Sequence, residues 1–328
     1  MNWEGMRVCV TGGCGNIGSP LVEKLSDLGA EVLVIDDLSR GNLKNIYRDG
    51  NLLPNVKFVH ADLTKENVAK THIKDQDVVV ALAAYLAGIV ELLKNQTFAS
   101  YQNSLIDQYT MKAAAENGVK HIVFSSTACT YGKEAPLPAK EENAGGTYDS
   151  MYGRTKHYSE FLVKEYAKAY GMKATIFRFF NVYSGKEEFS LKSHVIPGLT
   201  YKALNEMDPF VIWGTGEQTR SFIHADDVVR GILLGIEKSH NADPINLGTP
   251  EKVKIKDLAY KILEVCDFKP KKILFDTTKP EGVHDRCADN TKAKKILGWE
   301  PVVSLDDGLS RTIDDFKKLR QKVGKSYD

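Results

Sequence analysis

The chain has 328 residues, enough to bury a substantial core in one large domain or in two closely joined domains. Its 44 basic and 43 acidic side chains nearly cancel, which excludes the broad electrostatic attraction that draws basic proteins to nucleic acid or to anionic membranes. Five cysteines without a close Cys-x-x-Cys pair argue against a disulfide framework and against a metal site, and they favour a reducing compartment, the cytoplasm.

Short β-branched runs alternate with helical patterns in the first half of the chain, which is typical of a parallel sheet with crossover helices. The predicted strands are Arg7–Thr11, Glu31–Asp36, Val56–His60, Asp77–Leu82, His121–Ser126 and Lys173–Phe179. The predicted helices are Ile17–Leu28, Asn103–Asn117 and Tyr152–Tyr170. This order predicts an α/β fold with a doubly wound parallel sheet of the Rossmann type.

The chain is predicted to have two parts. Residues 1–180 would form a cofactor-binding Rossmann domain, to which a segment at about 222–250 returns. The alternation weakens after residue 180, so residues 181–328 are predicted to form a smaller C-terminal α/β part that binds the substrate. The longest uncharged run, Val78–Val90, is shorter than the roughly 20 apolar residues that span a bilayer, and no membrane span is expected.

A glycine-rich segment, Thr11–Gly18, follows the first predicted strand and opens the first helix. Glycines let the backbone approach a pyrophosphate, and the helix amino terminus offers N–H groups to the anion; a tight structural turn is the simpler alternative. Asp36 ends the second strand, where a carboxylate accepts ribose hydroxyls and repels the 2′-phosphate of NADP. We predict NAD, with Arg40 nearby leaving NADP as an alternative. The predicted ligands in the turn are Gly12, Gly15, Asn16, Ile17 and Gly18.

Tyr152 and Lys156 lie four residues apart, on one face of the third predicted helix. The fifth strand leads into Thr127, and an open parallel sheet binds ligands at the carboxyl ends of its strands. A phenol with a pKa near 10 becomes a base near neutral pH only if a cation stabilises the phenolate, and we expect Lys156 and the nicotinamide ring to do so. Tyr152 would take the proton of a sugar hydroxyl while Thr127 holds the oxygen. The alternative is that Tyr152 and Lys156 are ordinary surface residues of the helix without a chemical role.

Further motifs resemble those of the extended short-chain dehydrogenase/reductase family, whose members act on nucleotide sugars. They are Asp62-Leu63, Leu82–Ala84, Arg178–Tyr183, Trp213–Asp227 and Leu297–Pro301. The resemblance implies further cofactor-binding residues, with Asp62 and Leu63 at the adenine, Leu82 and Ala84 along the cofactor channel, and Asn103 nearby.

The same resemblance implies a nucleotide-diphosphate sugar as substrate. Asn181, Arg220 and Arg286 would hold its diphosphate, since one amide and two guanidinium groups suit a pyrophosphate. A surface ion pair is the alternative for the arginines. The family resemblance also implies a homodimer in which the second and third predicted helices pair with their symmetry mates, with Ala113, Phe161 and Leu162 along the seam.

Two stretches, Ser126–Tyr131 and Glu281–Asn290, resemble the GDP-mannose 3,5-epimerase branch of the family. This resemblance implies that Cys129, two residues after Thr127, is an acid/base. The chemistry is consistent, because the protons on C3 and C5 become acidic once C4 is a ketone, and a thiol can remove them. A pocket-lining or core cysteine is the alternative.

The reaction that we predict is therefore NAD-dependent epimerisation of a nucleotide sugar through a transient 4-keto sugar. The 3,5-epimerase branch has a lysine in the loop after the sixth strand, where this chain has Lys186 and Lys192, and Lys192 is counted among the predicted substrate-binding residues. UDP-glucose/UDP-galactose 4-epimerisation stays open. A 4,6-dehydratase is less expected, because Ala128 and Cys129 replace the acidic residues of that branch. A non-catalytic NAD-binding or RNA-binding protein would be expected to have lost Tyr152 or Lys156, or to show a basic face.

Overall fold

The computed structural model describes residues 1–86 and 88–323; the last five residues of the predicted C-terminal part lie outside them. The first half contains β1 (Arg7–Thr11), α1 (Gly18–Asp27), β2 (Glu31–Asp36), β3 (Tyr47–Arg48), β4 (Asn51–Leu52), β5 (Val56–His60), α2 (Val68–His72), β6 (Val78–Ala81), α3 (Ile89–Lys94), α4 (Gln96–Glu116), β7 (His121–Thr127), α5 (Met151–Tyr170) and β8 (Lys173–Phe179). The second half contains β9 (Val182–Tyr183), α6 (Val195–Leu204), β10 (Phe210–Trp213), β11 (Thr219–Arg220), β12 (Ile223–His224), α7 (Ala225–Lys238), β13 (Ile245–Leu247), β14 (Val253–Lys254), α8 (Ile255–Val265), β15 (Ile273–Asp276), α9 (Thr291–Leu297) and α10 (Leu305–Val323).

The central sheet has seven strands in the order β13-β8-β7-β6-β1-β2-β5, and every pair is parallel. Its inner strands are almost wholly buried, because helices cover both faces. Leu21 of α1 and Ile232 of α7 belong to the apolar core on one face. Met111 of α4 and Val163 of α5 belong to the core on the other face. The predicted doubly wound parallel sheet is confirmed.

Most predicted strands have the observed bounds, because their β-branched runs are buried in the sheet. The fourth is shorter by one residue at each end, and the fifth continues to Thr127. The largest difference is α4, which begins at Gln96 rather than Asn103. Asn103 is polar but buried inside the helix, where its side chain binds backbone groups of Tyr85 and Ala99. Its polarity therefore marks an interior contact rather than a helix start.

The second half of the chain supplies both a further sheet strand and a separate small core. β13 pairs with β8 at the edge of the central sheet, and α7 packs against α1. Helices α6, α8 and α10 enclose the second core with the parallel pair β10 and β15. Asp227 ties the two regions together, since its buried carboxylate accepts the N–H groups of Val302 and Val303. None of the helices described here is long and apolar enough to cross a membrane.

Candidate active site

The turn between β1 and α1 accommodates only glycine at several positions. Gly12 has a φ of +68°, and a Cβ there would lie 2.9 Å from the backbone of Ala83. A Cβ at Gly18 would clash with the carbonyl oxygen of Gly12, because the first residue of α1 is in close contact with the turn. No side chain caps the start of α1, and the N–H of Ser19 donates to the carbonyl of Gly15. Among the described residues, no hydrogen bond uses the N–H groups of Asn16, Ile17 and Gly18, so these can bind an anion. This geometry fits the pyrophosphate of a dinucleotide.

Asn16 and Ile17, the predicted ligands between Gly15 and Gly18, have different surroundings. The Asn16 amide donates to the carbonyl of Val182 at 2.9 Å, and its oxygen accepts from the Ser184 hydroxyl at 2.6 Å. The side chain of Asn16 therefore joins the glycine-rich turn to the segment after β8, and only its backbone is left to meet a phosphate. Ile17 packs partly buried against the core beneath the turn.

Asp36 stands at the end of β2 with its carboxylate next to the turn. One oxygen accepts the N–H of Cys14 and the other accepts the N–H of Leu38, both at 2.9 Å. Burial raises the pKa of Asp36, while these two backbone hydrogen bonds lower it. Each carboxylate oxygen keeps a second lone pair, so the group can still accept two ribose hydroxyls.

Arg40 is the residue because of which the sequence left NADP as an alternative cofactor, and its guanidinium binds other residues of the protein. Its Nη1 forms an ion pair with Glu188 at 2.6 Å, and its Nε donates to the carbonyl of Leu86 at 2.8 Å. The guanidinium is therefore bound to the loops that carry Leu86 and Glu188, and no hydrogen bond or ion pair among the described residues joins it to Asp36. This arrangement favours NAD over NADP.

The other predicted cofactor residues follow β5 and β6. Leu63 is buried in the core, and one oxygen of Asp62 accepts both the N–H and the hydroxyl of Thr64. Leu82 and Ala84 flank Ala83, whose backbone approaches Gly12. Both N–H donors of the Asn103 amide are used by the carbonyls of Tyr85 and Ala99, and its oxygen accepts the N–H of Tyr85. Asn103 can therefore shape the cofactor channel but has no free N–H donor for the cofactor.

Strand β7 and helix α5 bring Thr127, Cys129 and Tyr152 together. A Cβ at Gly153 would clash with the carbonyl of Cys129, so glycine allows α5 to approach the segment after β7. The Thr127 hydroxyl accepts the N–H of Cys129 at 3.1 Å and also hydrogen-bonds to Tyr152. A hydroxyl, a thiol and a phenol thus share one small volume at the carboxyl end of the sheet.

The pKa of the Tyr152 phenol depends on its burial and on three neighbouring groups. Burial raises the pKa of this phenol, Cys129 and Asp107 raise it further, and only the hydrogen bond from Thr127 lowers it. The Lys156 ammonium is bound to Asp107 of α4, with Nζ at 3.1 and 3.3 Å from the two carboxylate oxygens. Lys156 also lies over the Phe124 ring, 4.1 Å from its centroid.

Arg286 and Arg220 lie on the other side of Cys129. Nη1 of Arg286 donates to the Cys129 sulfur at 3.2 Å, and its Nη2 forms an ion pair with Asp149 at 3.2 Å. Burial lowers the pKa of Arg220 to about 10, and the charge of Arg286 lowers it too. The two guanidinium groups are therefore near neighbours at a thiol, where an anionic group would relieve their repulsion.

The two remaining predicted substrate residues, Asn181 and Lys192, differ in their distance from this cluster along the fold. Asn181 has a φ of +34° after β8, and its amide donates to the carbonyl of Ser221, next to Arg220. Lys192 is exposed, and its backbone carbonyl packs against Gly88. In the described part of the chain, no hydrogen bond or ion pair joins Lys192 to Cys129 or to the arginines, so the structure does not bring it into the cluster.

Three acidic residues of this region were missed in the sequence: Asp107, Asp149 and Glu188. Each pairs with a basic residue that the sequence did single out, namely Lys156, Arg286 and Arg40. Asp107 had one available signal, because it follows Asn103 by four residues and so shares its helix face. Asp149 and Glu188 lie in loops, where spacing along the chain carries no such information.

The central sheet is parallel, a glycine-rich turn follows its strand β1, and helix α5 carries Tyr152 and Lys156. This combination is typical of a dinucleotide-binding α/β protein. Residues 8–248 match the family model described as the NAD dependent epimerase/dehydratase family. The chain belongs to this family, as the motifs predicted, and NAD is its cofactor.

Known proteins similar to this chain carry out different reactions on nucleotide sugars. GDP-mannose 3,5-epimerase 1 of Oryza sativa subsp. indica is 31% identical, over 97% of this chain and 84% of the relative. UDP-glucuronic acid decarboxylase 1 of Arabidopsis thaliana is 30% identical, over 98% of this chain and 72% of the relative. The crystal structure of UDP-glucose 4-epimerase from Thermotoga maritima with UDP-glucose has a TM-score of 0.87 and 30% identity, and the match covers 96% of this chain and 99% of that chain. The family is thus fixed, while the reaction has to be argued from the site.

Proposed function

We propose that the protein is an NAD-dependent nucleotide-sugar epimerase that works through a transient 4-keto sugar, and that it inverts C3 and C5 in the manner of a GDP-mannose 3,5-epimerase. The observation that carries the 3,5 assignment is the contact between the Cys129 thiol and Arg286. A thiolate is stabilised by a guanidinium at hydrogen-bond distance, and such a thiolate is a base for carbon-bound protons.

In this proposal, Tyr152 and Thr127 serve the first half of the reaction. The Tyr152 phenolate takes the proton of the C4 hydroxyl, and Thr127 holds that oxygen by a hydrogen bond. The bound NAD supplies the acceptor for the C4 hydride and later the donor that restores it. The phenol of Tyr152 then returns its proton to the oxygen at C4, so the cofactor and the side chains end as they began.

Cys129 would act on the ketone between these two steps. Its thiolate removes the proton from the carbon next to the carbonyl, and the electron pair moves onto the C4 oxygen as an enolate. A water molecule on the opposite face would then protonate that carbon, and the Cys129 thiol would return its proton to solvent, which gives the inverted centre and restores the thiolate. Arg220, Arg286 and Asn181 would bind the diphosphate, and Arg286 would serve both the diphosphate and the thiolate.

The second candidate is a UDP-glucose/UDP-galactose 4-epimerase. The similarity to the Thermotoga maritima enzyme, which spans nearly all of both chains, favours it. In that reaction the ketone turns over in the pocket and the hydride returns to its other face, so no carbon-bound proton leaves the sugar and Cys129 has no chemical task.

Solvent labelling separates the two candidates. The enzyme is supplied with UDP, GDP, CDP and dTDP sugars in D₂O, and the products are analysed for deuterium at C3 and C5. The 3,5-epimerase proposal expects deuterium at these carbons and expects Cys129→Ala to abolish it. Cys287→Ala is the matched control, because Cys287 is a buried cysteine next to Arg286 with no contact to the sulfur of Cys129 in the described structure. Unlabelled product formed at a near-normal rate by Cys129→Ala would reject 3,5-epimerisation and leave 4-epimerisation.

We also propose that the protein is a homodimer that pairs through α4 and α5. Four aromatic side chains on these helices are about half exposed or more, Phe98 and Tyr101 on α4 and Tyr158 and Phe161 on α5. Ala113, which was expected on the seam, is instead buried in the core of its own chain. Light scattering should give twice the chain mass, and Tyr101→Ser with Phe161→Ser should give the monomer; a monomeric wild-type protein at micromolar concentration would contradict the proposal.

We also propose that the protein is located in the cytoplasm. The five cysteines, all of which are free thiols in the structure, support this location. Fractionation of cells that make the tagged protein tests this location directly.

A further inference from the structure

Asp149 lies in the segment between β7 and α5, and its two carboxylate oxygens have different surroundings. Oδ2 pairs with Nη2 of Arg286 at 3.2 Å. Oδ1 is shielded from solvent, and no hydrogen bond among the described residues uses it. Neither water nor a second donor therefore disperses the charge on this oxygen, and a ligand nearby would feel that charge strongly.

Arg286 links this carboxylate to the proposed acid/base. The same guanidinium binds Asp149 through Nη2 and the sulfur of Cys129 through Nη1, both at 3.2 Å. Burial lowers the pKa of Arg286, but the charges of Cys129 and Asp149 raise it above its usual value. Burial and the charge of Arg286 lower the pKa of Arg220, and the charge of Asp149 acts in the opposite direction. Asp149 thus supplies negative charge to both guanidinium groups of the site.

A ligand can reach this part of the site. The side chain of Asp149 is 20% exposed, and Arg286 lines a cavity of about 410 Å³ together with Tyr131 and Asp285. In the proposed function, one carbon of the sugar lies beside the sulfur of Cys129. The substituents of that sugar then come close to Asp149, because the sulfur and the carboxylate bind neighbouring nitrogens of one guanidinium.

The charge of Asp149 has opposite effects on two kinds of sugar. A sugar hydroxyl can donate to the carboxylate, and a hydrogen bond to a charged acceptor is a strong one. A carboxylate on the sugar would be repelled, and it would find the Arg286 guanidinium already paired. Without the charge of Asp149, the guanidinium groups of Arg220 and Arg286 would be available to bind such a sugar carboxylate.

We propose that Asp149 determines the class of sugar that the site accepts, so that neutral sugars bind and sugars that carry a carboxylate are excluded. The inference rests on the proposed position of the sugar beside Cys129. Its consequence is that the substrate carries a neutral hexose and not a uronic acid.

The test compares nucleotide sugars that differ only at C6. UDP-glucose is paired with UDP-glucuronate, and GDP-mannose is paired with GDP-mannuronate, so each pair shares its base and its diphosphate. Isothermal titration calorimetry gives the two dissociation constants on protein saturated with NADH, which cannot oxidise the sugar during the titration. The wild-type protein should bind the neutral member at least about tenfold more tightly, as expected for two like charges several ångströms apart at a partly buried site.

Three variants of Asp149 separate its charge from its shape. Asp149→Asn keeps the shape and removes the charge, and it should reduce the preference for the neutral sugar to within about twofold. Asp149→Ser repeats the loss of charge with a smaller side chain, which guards against a folding defect of the amide variant. Asp149→Glu keeps the charge and should keep the preference.

Glu142→Gln is the matched control, because it removes an exposed carboxylate from the same segment between β7 and α5 and should leave the preference unchanged. If Asp149 only orients Arg286 toward the diphosphate, its variants would change the affinity for both members of a pair equally. Equal affinities of the wild-type protein for both members, or a tenfold preference that persists in Asp149→Asn and Asp149→Ser, would overturn the inference.

The outcome is separate from that of the solvent-labelling experiment. If labelling rejects 3,5-epimerisation, the loss of preference in Asp149→Asn still assigns the class of sugar. If the preference does not depend on Asp149, the labelling result is unaffected, and only the role of Asp149 in specificity is lost.

Discussion

A buried ion pair between Glu160 of α5 and Arg178 of β8 lies next to the candidate active site, and its removal should destabilise the protein measurably. Arg178 donates to both carboxylate oxygens of Glu160, at 2.9 and 2.7 Å, and the two side chains are almost fully buried. The Ser126 hydroxyl donates to Glu160 as well, and Arg178 also donates to Tyr131 at 3.2 Å. Ser126 precedes Thr127, so this network anchors the strand end that carries the proposed oxygen-binding hydroxyl.

The perturbation is Glu160→Gln, which keeps the shape and removes the charge. Burial lowers the pKa of Arg178, but hydrogen bonds and charge from Glu160 raise it above its usual value, so the guanidinium stays charged. Without its partner it becomes an uncompensated buried charge, which costs about 3–5 kcal/mol. For 328 residues the entropy of unfolding is about 0.7 kcal/mol per degree, so a loss of about 4 kcal/mol lowers Tm by about 6 °C.

Differential scanning calorimetry on Glu160→Gln and on the double variant Glu160→Leu with Arg178→Met measures this effect. The double variant removes both charges, so it should recover part of the loss, because replacing a buried pair with apolar side chains is far less costly than breaking it. A Tm within about 1 °C of wild type in Glu160→Gln would refute the reasoning. A double variant less stable than the single one would show that shape and hydrogen bonding, rather than the unpaired charge, set the cost.

Two further predictions concern turnover and pH. Tyr152→Phe should keep bound NAD but lose about 10² or more in turnover, and an unchanged rate would remove Tyr152 from the proposed chemistry. Burial lowers the pKa of His121 to about 4, and His240 and Lys173 lower it too, so folding favours the neutral ring; stability should be full above the unfolded pKa of 6.5 and fall as the pH drops below it. Urea unfolding should show a loss of about 2 kcal/mol between pH 7.5 and pH 5 from this group, absent in His121→Gln; equal losses in both proteins would contradict it.

The sheet was predictable because its signal is local. Strands buried on both faces read as short β-branched runs, and one constraint on the turn between β1 and α1, the close contact of Gly18 with Gly12, lies within a few residues. The start of α4 was not predictable in this way. Asn103 lies inside this helix, and its side chain hydrogen-bonds to the backbone of Tyr85. That contact exists only after the chain has folded.

The partners of the site's cations were beyond the reach of sequence patterns for the same reason. Lys156 meets Asp107 across 49 residues, and Arg286 meets Asp149 across 137 residues. Spacing along the chain carries no information at such separations. The sequence therefore predicted which basic residues to examine, but it did not predict the carboxylate partners that Lys156 and Arg286 have in the folded protein.

Arg220 differs from the other two basic residues of the site in the kind of partner that it has. Lys156 and Arg286 each have a carboxylate partner, whereas the Arg220 guanidinium donates to two backbone carbonyls, those of Thr219 and Glu281. Burial and the charge of Arg286 lower the pKa of Arg220 to about 10, which means that its positive charge is held at a cost. In the proposed function, a diphosphate bound there would place two negative charges beside Arg220 and would offset that cost. In this proposal, a nearly neutral chain would attract an anionic substrate through a partly buried arginine.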